Sequence, residues 1–195
     1  IKQLFALEII EGLPLASWKK SINHLFFEGS VEVRKRILSM AWDEESILSN
    51  DDIIEAMKKN DEVSEEAIMV VGRRKLTNVL PDLEPLLTNE SQKIRAVSAA
   101  AILHFETGPS KRAESILNEM LDSDDELVQA TALKRLVHND SILPQDKLIH
   151  FLENEGPLIS NVALTIAGKR NEPELVPAII SNLNFPKTSL QARLM

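Results

Sequence analysis

The residues that could perform acid–base or metal chemistry are scattered along the chain. The chain has four histidines: His24, His104, His138 and His150. None of them has ligand spacing, because a zinc-binding helix needs two histidines on one face, four residues apart. Neighbouring acids such as Asp51 and Asp52 point in different directions on a helix, so they are poorly placed to act as a general acid and base. We therefore expect no metal site and interpret the acidic pairs as helix caps and solvated faces.

The sequence also lacks the motifs of phosphate binding and nucleophilic catalysis. Gly72 and Gly168 stand alone at predicted helix ends, so neither belongs to a Gly-rich phosphate loop, and no Gly-x-Ser-x-Gly turn occurs. The chain has no cysteine, which rules out disulfides and thiolate metal sites and suits a reducing compartment. We expect a protein that is not an enzyme and that uses no cofactor.

The charge and composition of the chain limit the classes of partner that it can bind. The formal net charge of -8 repels phosphate backbones and anionic lipid, so we expect no nucleic-acid partner and no membrane insertion. No run approaches the roughly 18 apolar residues of a membrane span, and the first residues lack signal-peptide features. We expect a cytoplasmic location, or the cytosolic part of a membrane protein. Because the chain begins without Met in what reads as the middle of a helix, we expect a fragment of a longer protein.

A repeat of about 31 residues organises the chain. An apolar residue that opens a helical pattern recurs at Val33, Val63, Ile94, Val128, Ile159 and Leu190. Successive spacings are 30, 31, 34, 31 and 31 residues. Apolar or small residues follow four and eight positions later, which marks one face of a helix. We call this helix B, and a second amphipathic segment, helix A, precedes each one.

These patterns predict a single all-α domain over residues 1–195 with six A–B helix pairs. Aromatic residues make up only 4% of the chain, a composition that suits closely packed helices better than twisted sheets. We also predict a partial helix before Pro14. Pro81 and Pro85 fall inside one A helix, so a kink or a late start is expected there.

Several segments resemble a known repeat family. The run from Leu80 to Leu87, followed by Ile94-Arg95, is similar to the HEAT repeat, and so is the parallel pair Val33-Arg34. The nine-residue offsets from Gly72 to Pro81 and from Gly168 to Pro177 resemble the short bacterial HEAT variety also found in phycobilin lyases. This resemblance implies an armadillo-like α-solenoid, an alpha-alpha superhelix of about six helix pairs. Ser64, Gln129 and Ser160 depart from it, because they replace the family's Arg.

In a HEAT stack the B helices line the concave surface, which gives a candidate binding edge. Ten residues after each repeat start, the last four complete repeats carry a cationic or titratable residue: Arg73, His104, His138 and Lys169. Six residues after the start, the groove is predicted to contain Met69, Ala100 and Lys134. Two alternatives stay open. The cations would also compensate helix dipoles, and the small residues would also let neighbouring B helices approach.

The leading functional hypothesis is a non-catalytic protein-interaction scaffold. Its partner would be a protein, a peptide or a neighbouring domain of the same chain. The alternative is a regulatory or spacer HEAT segment, similar to those that link a bacterial membrane transporter domain to a cyclic-nucleotide-binding domain. Phycobilin lyase-like and DNA glycosylase-like enzymes are less favoured. The glycosylase needs a basic groove for the duplex, which this acidic chain lacks.

Overall fold

The computed structural model describes residues 2–11, 13–42, 44–59, 61–105, 110–137, 142–153 and 156–183. Within these ranges every regular element is a helix and no β-strand occurs, so the predicted all-α fold is confirmed. No helix within them combines the length and the apolar character needed to cross a bilayer. The last predicted B helix, which starts at Leu190, lies outside the described residues.

The chain divides into two compact units. Unit 1 comprises Ile1–Asn89 with Val97–Ala113, and unit 2 comprises Glu90–Ala96 with Glu114–Met195. The single domain expected over residues 1–195 therefore stays a prediction.

Unit 1 begins with a helix, as expected for the segment before Pro14. Its helices are α1 (Lys2–Glu11), α2 (Lys19–Glu28), α3 (Val31–Ala41), α4 (Asn50–Lys58), α5 (Ser64–Arg73) and α6 (Leu80–Leu83). Helix α7 (Gln92–Ile102) starts in unit 2 and ends in unit 1. Helix α3 packs against α1, α2 and α5, and α4 packs against α5. The A helices α2 and α4 thus lie beside α3 and α5, the B helices that follow them, and α3 also lies beside α1.

The buried residues of unit 1 follow the repeat. Ile37 on α3 and Ala67 on α5, each four residues after a repeat start, are fully buried. Gly72 on α5 lies close to α7, because a Cβ there would lie 2.6 Å from the Cα of Ala101. A side chain at position 72 would push the two helices apart.

The third A helix is broken where the two prolines fall. The 3-10 turn Thr77–Val79 precedes α6, and a second 3-10 segment, Glu84–Thr88, follows it. Each proline lies near the start of a helical segment, where its missing N–H costs little. The predicted interruption is confirmed.

Unit 2 continues the alternation of A and B helices. It contains most of α8 (Ser110–Leu121), then α9 (Glu126–Lys134), α10 (Gln145–Glu153), α11 (Pro157–Arg170) and α12 (Val176–Leu183). Helix α11 packs against α9, α10 and α12, and α10 packs against α12. The Asn182 side chain donates a hydrogen bond to the buried Leu152 carbonyl, which ties α12 to α10.

From the sequence, Ser30 and Ser123 are predicted caps of the B helices α3 and α9, and the structure agrees in part. Ser30 accepts a hydrogen bond from the Val33 N–H at the start of α3, as predicted. Ser123 was expected to cap α9, but this prediction is wrong. The Asp125 carboxylate accepts from the Leu127 N–H at 2.8 Å, and Ser123 accepts from the Asp125 N–H instead. A carboxylate at this position also interacts favourably with the helix dipole.

The ends of α5 and α11 have the same backbone conformation. Lys75 and Asn171, each twelve residues after a repeat start, have left-handed φ angles of 50° and 52°. A three-residue 3-10 turn follows in each case, and then a helix with proline at its second position, Pro81 or Pro177. The shared Gly-to-Pro spacing of the sequence therefore corresponds to the same local structure in the described residues of both units.

Candidate functional site

The predicted edge residues are divided between the two units. Arg73 ends α5 and His104 follows α7, both in unit 1. Lys134 ends α9 and Lys169 lies in the last turn of α11, both in unit 2. His138 lies outside the described residues. A continuous row that joins these residues stays a prediction.

The two groove residues of unit 1 differ in exposure. Met69 on α5 is half-buried. Ala100 on α7 is only 3% exposed, so its side chain offers little surface to a partner. Its burial favours the alternative in which a small residue lets neighbouring elements pack closely.

Unit 1 contains one cluster in which predicted edge residues meet an aromatic ring. The Arg73 guanidinium carbon lies 5.6 Å from the centroid of the Trp42 ring. The imidazole of His104 meets the same ring nearly edge-on, with centroids 6.1 Å apart and planes at 78°. We call Trp42, Arg73 and His104 the aromatic–basic cluster. Its members come from the carboxyl ends of α3, α5 and α7, three successive B helices.

The cluster combines a π surface with hydrogen-bond donors at the protein surface. Trp42 and His104 are half-buried and Arg73 is exposed. The Arg73 guanidinium lies over the indole ring, and its N–H groups can donate hydrogen bonds to a carboxylate. The arrangement suits recognition of an acidic side chain or a chain terminus.

Trp42 was missed as a site residue, although a signal for it exists. It lies nine residues after Val33, and positions nine and ten of a B helix are both predicted to face the groove. The prediction concentrated on position ten because cations recur there. A large aromatic residue at position nine was an equally good signal.

Arg74, beside Arg73, forms hydrogen bonds with the backbone that carries Trp42. Its Nη2 donates to the Ala41 carbonyl at 3.2 Å, and its Nη1 donates to the Leu48 carbonyl at 3.0 Å. Burial lowers the pKa of Arg74, against the opposing effect of Glu45. An arginine remains protonated at neutral pH even so. Arg74 therefore fixes the end of α3, from which Trp42 projects.

The two lysines of unit 2 have a simpler setting. Lys134 and Lys169 are exposed in the last turns of α9 and α11. Cations are favoured at such positions by the helix dipole. For these two residues, dipole compensation accounts for the charge without a ligand.

A second concave feature of unit 1 lies between α2, α3 and α4. It is a pocket of about 90 Å³ lined in part by Phe27, Arg34 and Glu55, with room for a few water molecules. The Arg34 guanidinium lies over the Phe26 ring, and Glu55 pairs with Lys59 at 2.9 Å. The charged lining residues of this pocket are already paired within the chain, Arg34 with Asp61 and Glu55 with Lys59.

Among the described residues, no three His, Asp or Glu side chains lie close enough together to hold a metal ion. Comparison with known proteins adds no assignment. No family model, no curated protein and no solved structure matches the chain.

Proposed function

We propose that this chain is a non-catalytic protein-interaction scaffold built from HEAT-like repeats stacked as an α-solenoid. The observation that carries the proposal is the aromatic–basic cluster. Trp42, Arg73 and His104 belong to three successive repeats, yet they form one partly exposed surface. A surface assembled from neighbouring repeats is the way in which solenoids bind extended partners.

The packing order within each unit supports the solenoid. In unit 1, α3 contacts the B helices on either side of it, α1 and α5. In unit 2, α11 contacts the B helix α9, and the A helices α10 and α12 contact each other. Contact between helices of the same type in adjacent repeats is what a one-dimensional stack requires.

The proposed partner is an acidic peptide segment. The cluster offers one arginine and one imidazole beside an indole ring, and hydrogen bonds from a cation to a carboxylate are stronger than neutral ones. His104 adds an imidazole whose ring nitrogens can form hydrogen bonds with a carboxyl group.

The test is a selection with counter-selection. Random 12-residue peptides that each contain at least four Asp or Glu would be selected for binding to the wild-type chain and against the Trp42→Ala/Arg73→Glu variant. We expect enriched peptides whose affinity falls when NaCl rises from 50 to 300 mM, since salt screens exposed charges. In the double variant their Kd should rise at least tenfold, about 1.4 kcal/mol.

Circular dichroism would establish that the double variant is folded. Failure to enrich any peptide against that variant would reject the cluster as a binding site. A parallel Lys169→Glu variant tests whether the edge extends into unit 2. An unchanged Kd there would confine binding to unit 1 and leave Lys169 as a dipole-compensating residue.

A further inference from the structure

Two exposed leucines occupy the same position on neighbouring B helices of unit 2. Leu127 on α9 is 59% exposed and Leu158 on α11 is 46% exposed. Each is the second residue of its helix. The Leu158 N–H donates to Glu126 Oε1 at 2.9 Å, which places the amino-terminal turns of α9 and α11 side by side. We call Leu127 and Leu158 the leucine pair.

Folding does not explain the leucine pair. The first turn of a helix favours acidic side chains, and α3 has Glu32 at the same position, while α7 has the charged Lys93. A leucine that is about half exposed contributes little burial to the core, and both of these leucines expose apolar surface to water. Adjacent exposed apolar residues at matched positions indicate a surface that a partner covers.

The surroundings of the leucine pair are acidic. Asp124 and Asp125 are exposed immediately before α9, and Glu126 is half-buried beside Leu127. Asp122 is also exposed, with Lys147 3.6 Å from its carboxylate. Among the described residues, these four carboxylates outnumber the one cation, Lys147, that forms an ion pair with any of them. Charge complementarity therefore requires a cationic partner and excludes an anionic lipid surface.

We propose that the leucine pair is a docking surface for a basic amphipathic helix of a partner protein. Packed helices lie about 8–10 Å apart, and residues seven apart on a helix are separated by about 10.5 Å. A partner helix with apolar residues at i, i+3 or i+4 and i+7 would therefore reach both leucines, while its Lys and Arg residues face the acidic rim. This surface lies in unit 2 at the amino-terminal ends of B helices, so it is independent of the aromatic–basic cluster.

The test uses two designed probes of 18 residues. One is a fluorescein-labelled Leu/Lys helix with leucines at i, i+3 or i+4 and i+7, and the other replaces every Lys with Glu. Fluorescence anisotropy should show that the wild-type chain binds the Leu/Lys helix, more weakly at higher salt, and does not bind the Leu/Glu helix. The Leu127→Ser/Leu158→Ser variant should bind the Leu/Lys helix at least tenfold more weakly.

A matched control tests whether a loss of binding is specific to the leucine pair. Val176 and Ile180 on α12 are 47% and 54% exposed, so Val176→Ser/Ile180→Ser removes a similar apolar area elsewhere in unit 2. This variant should bind the Leu/Lys helix as the wild type does. A further variant, Asp124→Lys, leaves both leucines in place and should weaken binding several-fold through charge alone. It also tests the proposal if the serine variant fails to fold.

Three results would overturn the proposal. The first is that the wild-type chain binds both probes equally well. The second is that both the leucine variant and Asp124→Lys bind the Leu/Lys helix as the wild type does. The third is that the α12 control loses as much affinity as the leucine variant. Sedimentation equilibrium tests whether a second copy of the chain, and not a partner helix, covers the leucine pair. Dimerisation of the wild type that the leucine substitutions abolish would show that the leucine pair joins two copies and would replace the partner helix.

Discussion

The carbonyl of Ala41 accepts a hydrogen bond from the Arg74 guanidinium across 33 residues of sequence, at 3.2 Å. This bond joins the carboxyl end of α3 to the carboxyl end of α5. The last carbonyls of a helix have no partner within it, and here a side chain of the next repeat supplies one. The same guanidinium also binds Leu48 and Asn50 in the segment that leads into α4 and its first turn.

Replacement of Arg74 by Ala should therefore destabilise the protein by about 1–3 kcal/mol, since it leaves carbonyls without partners. Arg74→Lys should recover only part of the loss, because an ammonium lacks the planar fork that reaches two sites. Urea unfolding measures both effects. Arg73→Ala is the matched control. It removes the exposed neighbouring arginine together with its contact to the Trp42 ring, and should cost no more than about 1 kcal/mol. Equal losses at positions 73 and 74 would contradict the role assigned to Arg74.

Substitution of two helical glycines by Ala should have opposite effects. A Cβ at Gly72 would lie 2.6 Å from backbone of Ala101, whereas a Cβ at Gly168 would meet nothing within 4 Å. Gly72→Ala should destabilise by about 1–3 kcal/mol through overpacking. Gly168→Ala should stabilise by about 0.5–1 kcal/mol, because alanine loses less backbone entropy in a helix. Thermal melts of the two variants would be compared, and a stabilising Gly72→Ala would show that α5 and α7 are less closely packed than described.

Lys75 and Asn171 both have a left-handed backbone conformation, so each can be replaced by the residue type of the other. Lys75 has a φ of 50° and Asn171 a φ of 52°. Asparagine tolerates this conformation better than lysine does. Lys75→Asn should therefore raise the melting temperature, and Asn171→Lys should lower it. The free energy of unfolding should change by about 1 kcal/mol or less in each case. Differential scanning calorimetry measures both shifts. Shifts of the same sign would mean that side-chain contacts, and not backbone conformation, control these two positions.

Acid should weaken the junction between α3 and α5 through Asp61. Although partial burial raises the pKa of Asp61, the Val63 N–H and the Arg34 guanidinium lower it, and the net pKa is below the ordinary value. The Arg34 nitrogen lies 3.2 Å from the carboxylate. A lowered pKa means that the stabilisation is complete above pH about 4 and is lost as the pH falls through the folded-state pKa.

Asp61→Asn keeps an oxygen for the Val63 N–H but removes the charge. Urea unfolding from pH 5 to 2.5 should show a steeper loss of stability for the wild type than for this variant. Asp124→Asn is the control, since it removes the charge of an exposed carboxylate in the other unit. Parallel pH profiles for the wild type and Asp61→Asn would contradict a stabilising charge at position 61.

The sequence by itself determined the all-α class and the order of the helices. The spacing of about 31 residues located α3, α5, α7, α9 and α11, and buried residues such as Ile37, Ala67 and Ala163 lie where it predicts. Helical periodicity is local, because the side chains of residues four apart share one face whatever packs against them. Prolines are also local signals, which explains why the break around α6 was predictable.

Only the tertiary structure decided which side chains meet. Trp42 and His104 are 62 residues apart in sequence, and their contact depends on the rise and rotation between successive repeats. Likewise, nothing local distinguishes Arg73, which lies over a ring, from Arg74, which forms a hydrogen bond to a helix end. Successive side chains on a helix point about 100° apart around its axis, so neighbouring residues of the same type lie in different surroundings. The helix positions were therefore readable from the sequence, whereas the aromatic–basic cluster required the packing of three helices.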